Sequence, residues 1–177
     1  MWYYIYNIWE RKDYSLDRKE TTIRLSALLE DYINPKKDSR IYYAKEVTFD
    51  YGSKDQCRVD YMQFKPKNNS VSGIEQGIFY AYEIKSSVED FNSGHGTNFN
   101  IGDMTYLVTT EDVYKCIERK VPHWVGFMVP STDTYSGLKV VRKAKPHDRQ
   151  RPVSEMLLMM FRSANRDIIK AKKKEME

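Results

Sequence analysis

The run from Gly77 to Lys85 constrains this chain most, because its residues alternate with a period of two. Phe79, Ala81, Glu83 and Lys85 fall on one face of a strand, and Ile78, Tyr80, Tyr82 and Ile84 on the other. Glu83 and Lys85 are then neighbours in the midst of apolar residues. A carboxylate and an ammonium in such a place are costly unless they are paired, hydrated or bound to metal. Such a strand sets both an architecture and a chemical question.

The other elements can be read around it. Asp17-Arg18-Lys19-Glu20 has the spacing of a capping box, and Leu25, Leu28, Leu29 and Tyr32 recur at helical spacing until Asn34-Pro35. Ile41 to Phe49 and Cys57 to Phe64 are strand-like and are separated by the turn Asp50-Tyr51-Gly52-Ser53. Pro66 to Gln76 reads as a polar loop. After Lys85, Ser86-Ser87-Val88-Glu89-Asp90-Phe91 predicts a short helix, and Asn92 to Gly102 a long loop. Met104 to Thr109 predicts a strand and Thr110 to about Lys120 a helix, followed by strands at Trp124 to Val129 and Leu138 to Arg142. Pro152 opens a last helix over about 152–174, whose expected apolar face is Met156, Leu157, Met160, Phe161, Ala164 and Ile168. Three successive strands followed by alternation predict an α/β fold, a central mixed sheet flanked by helices. With 177 residues, and no repeat or long linker, residues 1–177 are expected to form a single domain.

Composition excludes several classes. An apolar fraction of 41% and an aromatic fraction of 14% are far from disordered composition. The aromatic start Met1-Trp2-Tyr3-Tyr4-Ile5-Tyr6-Asn7-Ile8-Trp9 is too short to span a bilayer and lacks a basic leader and a cleavage site. It suits a strand or packing segment, and no membrane partner is expected. Cys57 and Cys116 make no disulfide scaffold and have no CxxC or histidine partner, which fits a cytoplasmic setting. The net charge of +4 is unevenly spread: Met1 to Leu138 carries 17 basic and 20 acidic residues, and Lys139 onward 12 basic and 5 acidic. A basic end suggests a polyanionic partner, and equally describes a solvated helix. Within it, Arg162, Arg166, Lys170 and Lys173 or Lys174 form a stripe that could follow a phosphate backbone.

Asp60, in Arg58-Val59-Asp60-Tyr61, is again a charge inside an apolar run. If its strand pairs with the next as a hairpin, Asp60 and Glu83 lie a few ångströms apart. Two converging carboxylates repel unless a cation intervenes, and hard oxygen ligands suit Mg²⁺ or Mn²⁺. Lys85 could then orient a water or stabilise a phosphoryl oxyanion. A buried salt bridge from Lys85 to one carboxylate explains the same residues without a metal. His95 lies between two glycines of a loop, His123 and His147 have no partner at metal spacing, and Cys57 suits a small core filler.

Asp60, a loop, then Glu83-Ile84-Lys85 resembles the core of the PD-(D/E)XK nuclease superfamily. Lys45-Glu46-Val47-Thr48-Phe49, Arg58-Val59-Asp60-Tyr61 and Tyr82 to Phe91 are similar to the MmcB-like branch, associated with bacterial DNA repair and found also in phage genomes. The likeness continues through Gly102-Asp103-Met104-Thr105-Tyr106-Leu107-Val108 and Val125-Gly126-Phe127-Met128-Val129, and spans about residues 20 to 170. It implies a restriction-endonuclease-like αβββαβ core and metal-dependent cleavage of DNA. Asp60, Glu83 and the main-chain carbonyl of Ile84 would be the metal ligands, and Lys85 would act on the water. Glu46 would be an extra catalytic carboxylate, with Glu30 the alternative. Val59 stands where the motif usually has Pro, and Ser93-Gly94-His95-Gly96-Thr97-Asn98 departs from the Trp- and Pro-containing segment of bacterial relatives.

The expected function is thus a Mg²⁺- or Mn²⁺-dependent DNA nuclease. The alternative is a non-catalytic protein of the same fold that binds DNA or a protein partner, such as a phage inhibitor of host defence. An RNA substrate, a homodimer and a protein partner stay open.

Overall fold

The computed structural model describes residues 17–96 and 98–176, so the segment expected at Met1 to Trp9 lies outside the described residues. In chain order the elements are α1 (Arg18–Ile33), β1 (Tyr42–Phe49), β2 (Cys57–Lys65), α2 (Val71–Glu75), β3 (Ile78–Lys85) and α3 (Val88–Asn92). They continue with β4 (Met104–Thr109), α4 (Glu111–Ile117), β5 (Gly126–Pro130), β6 (Leu138–Arg142) and α5 (Val153–Glu175). The strands form one sheet in chain order, β1-β2-β3-β4-β5-β6. β1, β2 and β3 form an antiparallel meander, β3 to β5 are parallel, and β6 returns antiparallel. The parallel pairs follow from the intervening helices, since a parallel neighbour needs a crossover. The molecule is an α/β protein with a mixed sheet flanked by helices.

The alternation of β3 divides its two faces as the sequence predicts. Tyr82 and Ile84 pack with Leu25, Leu28 and Leu29 of α1 on one face. Phe79 and Ala81 pack with Val153, Met156 and Met160 of α5 on the other, where Leu107 and Phe127 also lie under Val113 and Ile117 of α4. The capping box of α1 forms: the Asp17 side chain accepts from the Glu20 N–H and Glu20 reaches back to the Asp17 N–H. Arg18 then pairs with Asp90 at 2.7 Å, tying the start of α1 to α3.

Three expectations change. The polar loop before β3 contains a helical turn, α2, because Ser70 caps it by accepting from the Gly73 N–H. The strand expected from Trp124 begins at Gly126, where an added Cβ would lie 2.4 Å from the Tyr106 ring. On α5 the buried stripe is Val153, Met156, Met160 and Ser163, whereas Phe161 and Ile168 are 69% and 53% exposed. Phe161 lies one residue, about 100° of helix rotation, past Met160, and so points off the sheet. Among the described residues no helix is long and apolar enough to cross a membrane.

Met156→Ala is expected to destabilise the protein by about 2–5 kcal/mol, as a truncation in the core under α5. Phe161→Ala should stay within about 0.5 kcal/mol, the range of a surface substitution. Urea unfolding of the two variants checks the revised face of α5.

Candidate functional site

The site begins where β2 parts from β3. Their ladder runs from Lys65 opposite Ile78 to Tyr61 opposite Tyr82 and then stops. The next position would set Asp60 against Glu83. In place of a backbone bond, the Asp60 carboxylate oxygen Oδ2 accepts from the Ile84 N–H at 2.9 Å. A side chain thereby satisfies a strand amide, and its carboxylate is directed edgewise at β3.

The same level is irregular in β1. Lys45 pairs with Tyr61 and Val47 with Val59, but Glu46 makes no ladder pair with Asp60 and has φ +48. Lys45 reaches Glu30 on the α1 side, while Val47 packs under α5; likewise Tyr61 packs with α1 and Val59 under α5. Both strands therefore change face across Glu46 and Asp60 while keeping their register.

Beside this break, Glu83 and Lys85 are 5% and 3% exposed. Burial raises the Glu83 carboxyl well above its ordinary value; the charge of Asp60 adds to the rise and that of Lys85 opposes it. Lys85 Nζ donates to the main-chain carbonyl of His95, and its own carbonyl accepts from Thr109 Oγ1 at 2.6 Å. The loop lies directly on the pair: at Gly96, with φ +67, an added Cβ would stand 2.4 Å from Glu83 Oε2 and 3.3 Å from Lys85 Nζ. Residue spacing carries no sign of this contact, although the glycines on either side of His95 are the residues such an approach requires.

Asp60, Glu83, Ile84 and Lys85 are thus brought together. Among the described residues no group of three or more His, Cys, Asp or Glu side chains is gathered to hold a metal ion. The donors present are two carboxylates and a strand carbonyl. They are hard oxygens, and the repulsion from Asp60 that adds to the effect of burial on Glu83 is what a dication would relieve, so the donor set fits Mg²⁺ or Mn²⁺ with water completing the shell. The residues could hold such an ion and place Lys85 beside it.

Neither candidate for the extra carboxylate joins them. Glu30 lies on the other side of the sheet, where it accepts from Lys45 Nζ at 2.5 Å and the Tyr61 hydroxyl at 2.8 Å. Burial, then Glu30 itself, pushes the Tyr61 hydroxyl up. The Glu46 carboxylate is half exposed, 3.9 Å from both Arg58 and Arg166. Cys57 is half buried near the site, and desolvation pushes its thiol up, which disfavours the thiolate. On α5, Arg162, Lys170 and Lys173 face solvent, but Arg166 is folded onto β1, donating to the carbonyls of Lys45 at 3.0 Å and Glu46 at 3.2 Å. Its place in a solvent-facing basic stripe is corrected accordingly, because the turned backbone at Glu46 offers it carbonyls.

No protein-family model matches the chain, and no curated protein matches it. Among solved structures it is similar to the SPO1766 protein of unknown function from Silicibacter pomeroyi, at TM-score 0.55 and 17% identity over 90% of this chain and 94% of that one. At that identity the likeness is one of fold.

The raised Glu83 carboxyl has a consequence for stability. The folded state holds this proton more tightly than the unfolded state, so the contribution is complete at acid pH and is lost as pH rises from the usual carboxylate range through the elevated value. Glu83→Gln, which mimics the protonated form, should raise Tm by about 2–4 °C near pH 8 and converge with the parent near about pH 4. Thermal unfolding across pH gives the comparison.

Proposed function

We propose that this chain is a Mg²⁺- or Mn²⁺-dependent nuclease that hydrolyses DNA phosphodiester bonds in the cytoplasm, in DNA repair or phage DNA metabolism, as the resemblance of its motifs implies. The observation that supports it is the meeting of Asp60 and Glu83 at the parting of β2 and β3, with Lys85 beside them. Bound by Asp60, Glu83 and the Ile84 carbonyl, the ion would polarise a phosphoryl oxygen and acidify a water. Asp60 contributes a carboxylate held at a fixed angle by the Ile84 N–H. Glu83 would contribute a second, whose ionised form a neighbouring cation would favour against the effect of burial. Lys85, released from the His95 carbonyl, would donate to the water or to a phosphate oxygen, where its charge would offset the negative charge developing on the phosphoryl oxygens. Arg162, Lys170 and Lys173 follow the backbone of the substrate.

A second reading has its own observation. Gly96 packed on Glu83, and the His95 carbonyl on Lys85, leave these groups covered, which suits a non-catalytic protein that binds DNA or a protein partner.

Incubation with single-stranded, duplex and branched DNA, and with RNA, in Mg²⁺ or Mn²⁺ decides between them. Cleavage that falls by about 10²-fold or more in Asp60→Ala and Lys85→Ala supports the nuclease; no cleavage, or equal cleavage by the variants, overturns it. Calorimetric titration with Mn²⁺ should lose its signal in Glu83→Ala. Each of Arg162→Ala, Lys170→Ala and Lys173→Ala should reduce the slope of log binding constant against log salt by about 0.9 on duplex DNA.

A further inference from the structure

The break at Glu46 and Asp60 is held from outside the sheet. Glu46 is a non-glycine residue in the left-handed region, with φ +48, a conformation that persists where surrounding structure over-determines it. Two side chains of α5 supply that determination. Ser163 Oγ donates to the carbonyl of Lys45 at 2.5 Å and lies 3.2 Å from that of Glu46. Arg166 donates to both carbonyls and to Ser163 Oγ, the last at 2.8 Å. Ser163 is 4% exposed and occupies a position on the buried stripe of α5 that an apolar residue would otherwise fill. The two carbonyls meet side chains of α5 at the level where β1 and β2 both change face.

We infer that Ser163 and Arg166 are positioning residues: by holding the Lys45 and Glu46 carbonyls they fix the turned backbone that frees Asp60 from the ladder and directs its carboxylate at Ile84 and Glu83. They act through β1 on Asp60 and touch no substrate. Arg166, expected from sequence to grip nucleic acid, is reassigned to this task. The assignment of geometry stands on hydrogen bonds alone; its consequence for metal binding rests on the nuclease reading.

The Ile84 amide reports on Asp60 directly, since the carboxylate is its acceptor. Hydrogen exchange followed by NMR in the full chain should show Ile84 exchanging about tenfold faster or more in Ser163→Ala/Arg166→Ala, close to its rate in Asp60→Ala, with the slowest amides of β4 unchanged. Arg166→Lys, which keeps a donor, should recover part of the protection in the Ser163→Ala background. Unchanged Ile84 exchange in the double variant overturns the inference, as does an equal acceleration of the β4 amides, which would mark a general loss of stability. If the double variant does not fold, Arg166→Ala alone, at a half-buried site, carries the same comparison. Calorimetry with Mn²⁺ separates the two proposals: weaker binding in the variants joins them. A parent that binds no Mn²⁺ ends the nuclease reading and leaves the exchange result to judge the positioning.

Discussion

The hydrogen bond from the Ile84 N–H to Asp60 Oδ2 is the contact on which the rest of the site depends. A strand amide inside a sheet must find an acceptor, and the acceptor is normally a carbonyl of the next strand. Here the next strand has turned away, and a carboxylate takes over. That substitution lets β2 diverge from β3 without leaving a buried donor unpaired, and it places an anion beside Glu83. Burial of Glu83 and Lys85 beneath the His95–Gly96 loop then makes their charges interact in a low dielectric, where the protonation of Glu83 is strongly shifted.

Much of the framework is legible in the amino-acid sequence, and the reasons are local. The capping box at Asp17 and Glu20 is written in four consecutive residues. The alternation across Ile78 to Lys85 assigns each side chain to a face because a strand has a period of two. What escaped depends on distant partners. Nothing in Lys45-Glu46-Val47 announces a left-handed residue, since neither Gly nor Asn stands there; the conformation is imposed by Ser163 and Arg166, more than a hundred residues away. The one available signal was Ser163 itself, a hydroxyl in phase with Met156 and Met160. A polar residue on a buried stripe must meet an acceptor across the interface.

The same distinction explains the two errors on α5. Helical spacing identifies an apolar face only to within the width of a stripe, and the sheet beneath decides which edge of that stripe is covered. Met160 falls under it and Phe161 does not. For Arg166, spacing with Arg162 and Lys170 described a stripe of cations, but a guanidinium with five donors follows whatever carbonyls lie within reach. The broken ladder at Glu46 supplies two.

Glu46 also has a place in the sheet that gives its turned backbone a second meaning. Among the described residues β1 is an edge strand, and such a strand offers a row of donors and acceptors to any other extended chain. A left-handed residue midway along it, with its carbonyls already claimed by α5, interrupts that row. The turned backbone beside Asp60 thus also shortens the template on which a foreign strand could grow, so that local geometry at the site and resistance to edge-to-edge association share a single residue.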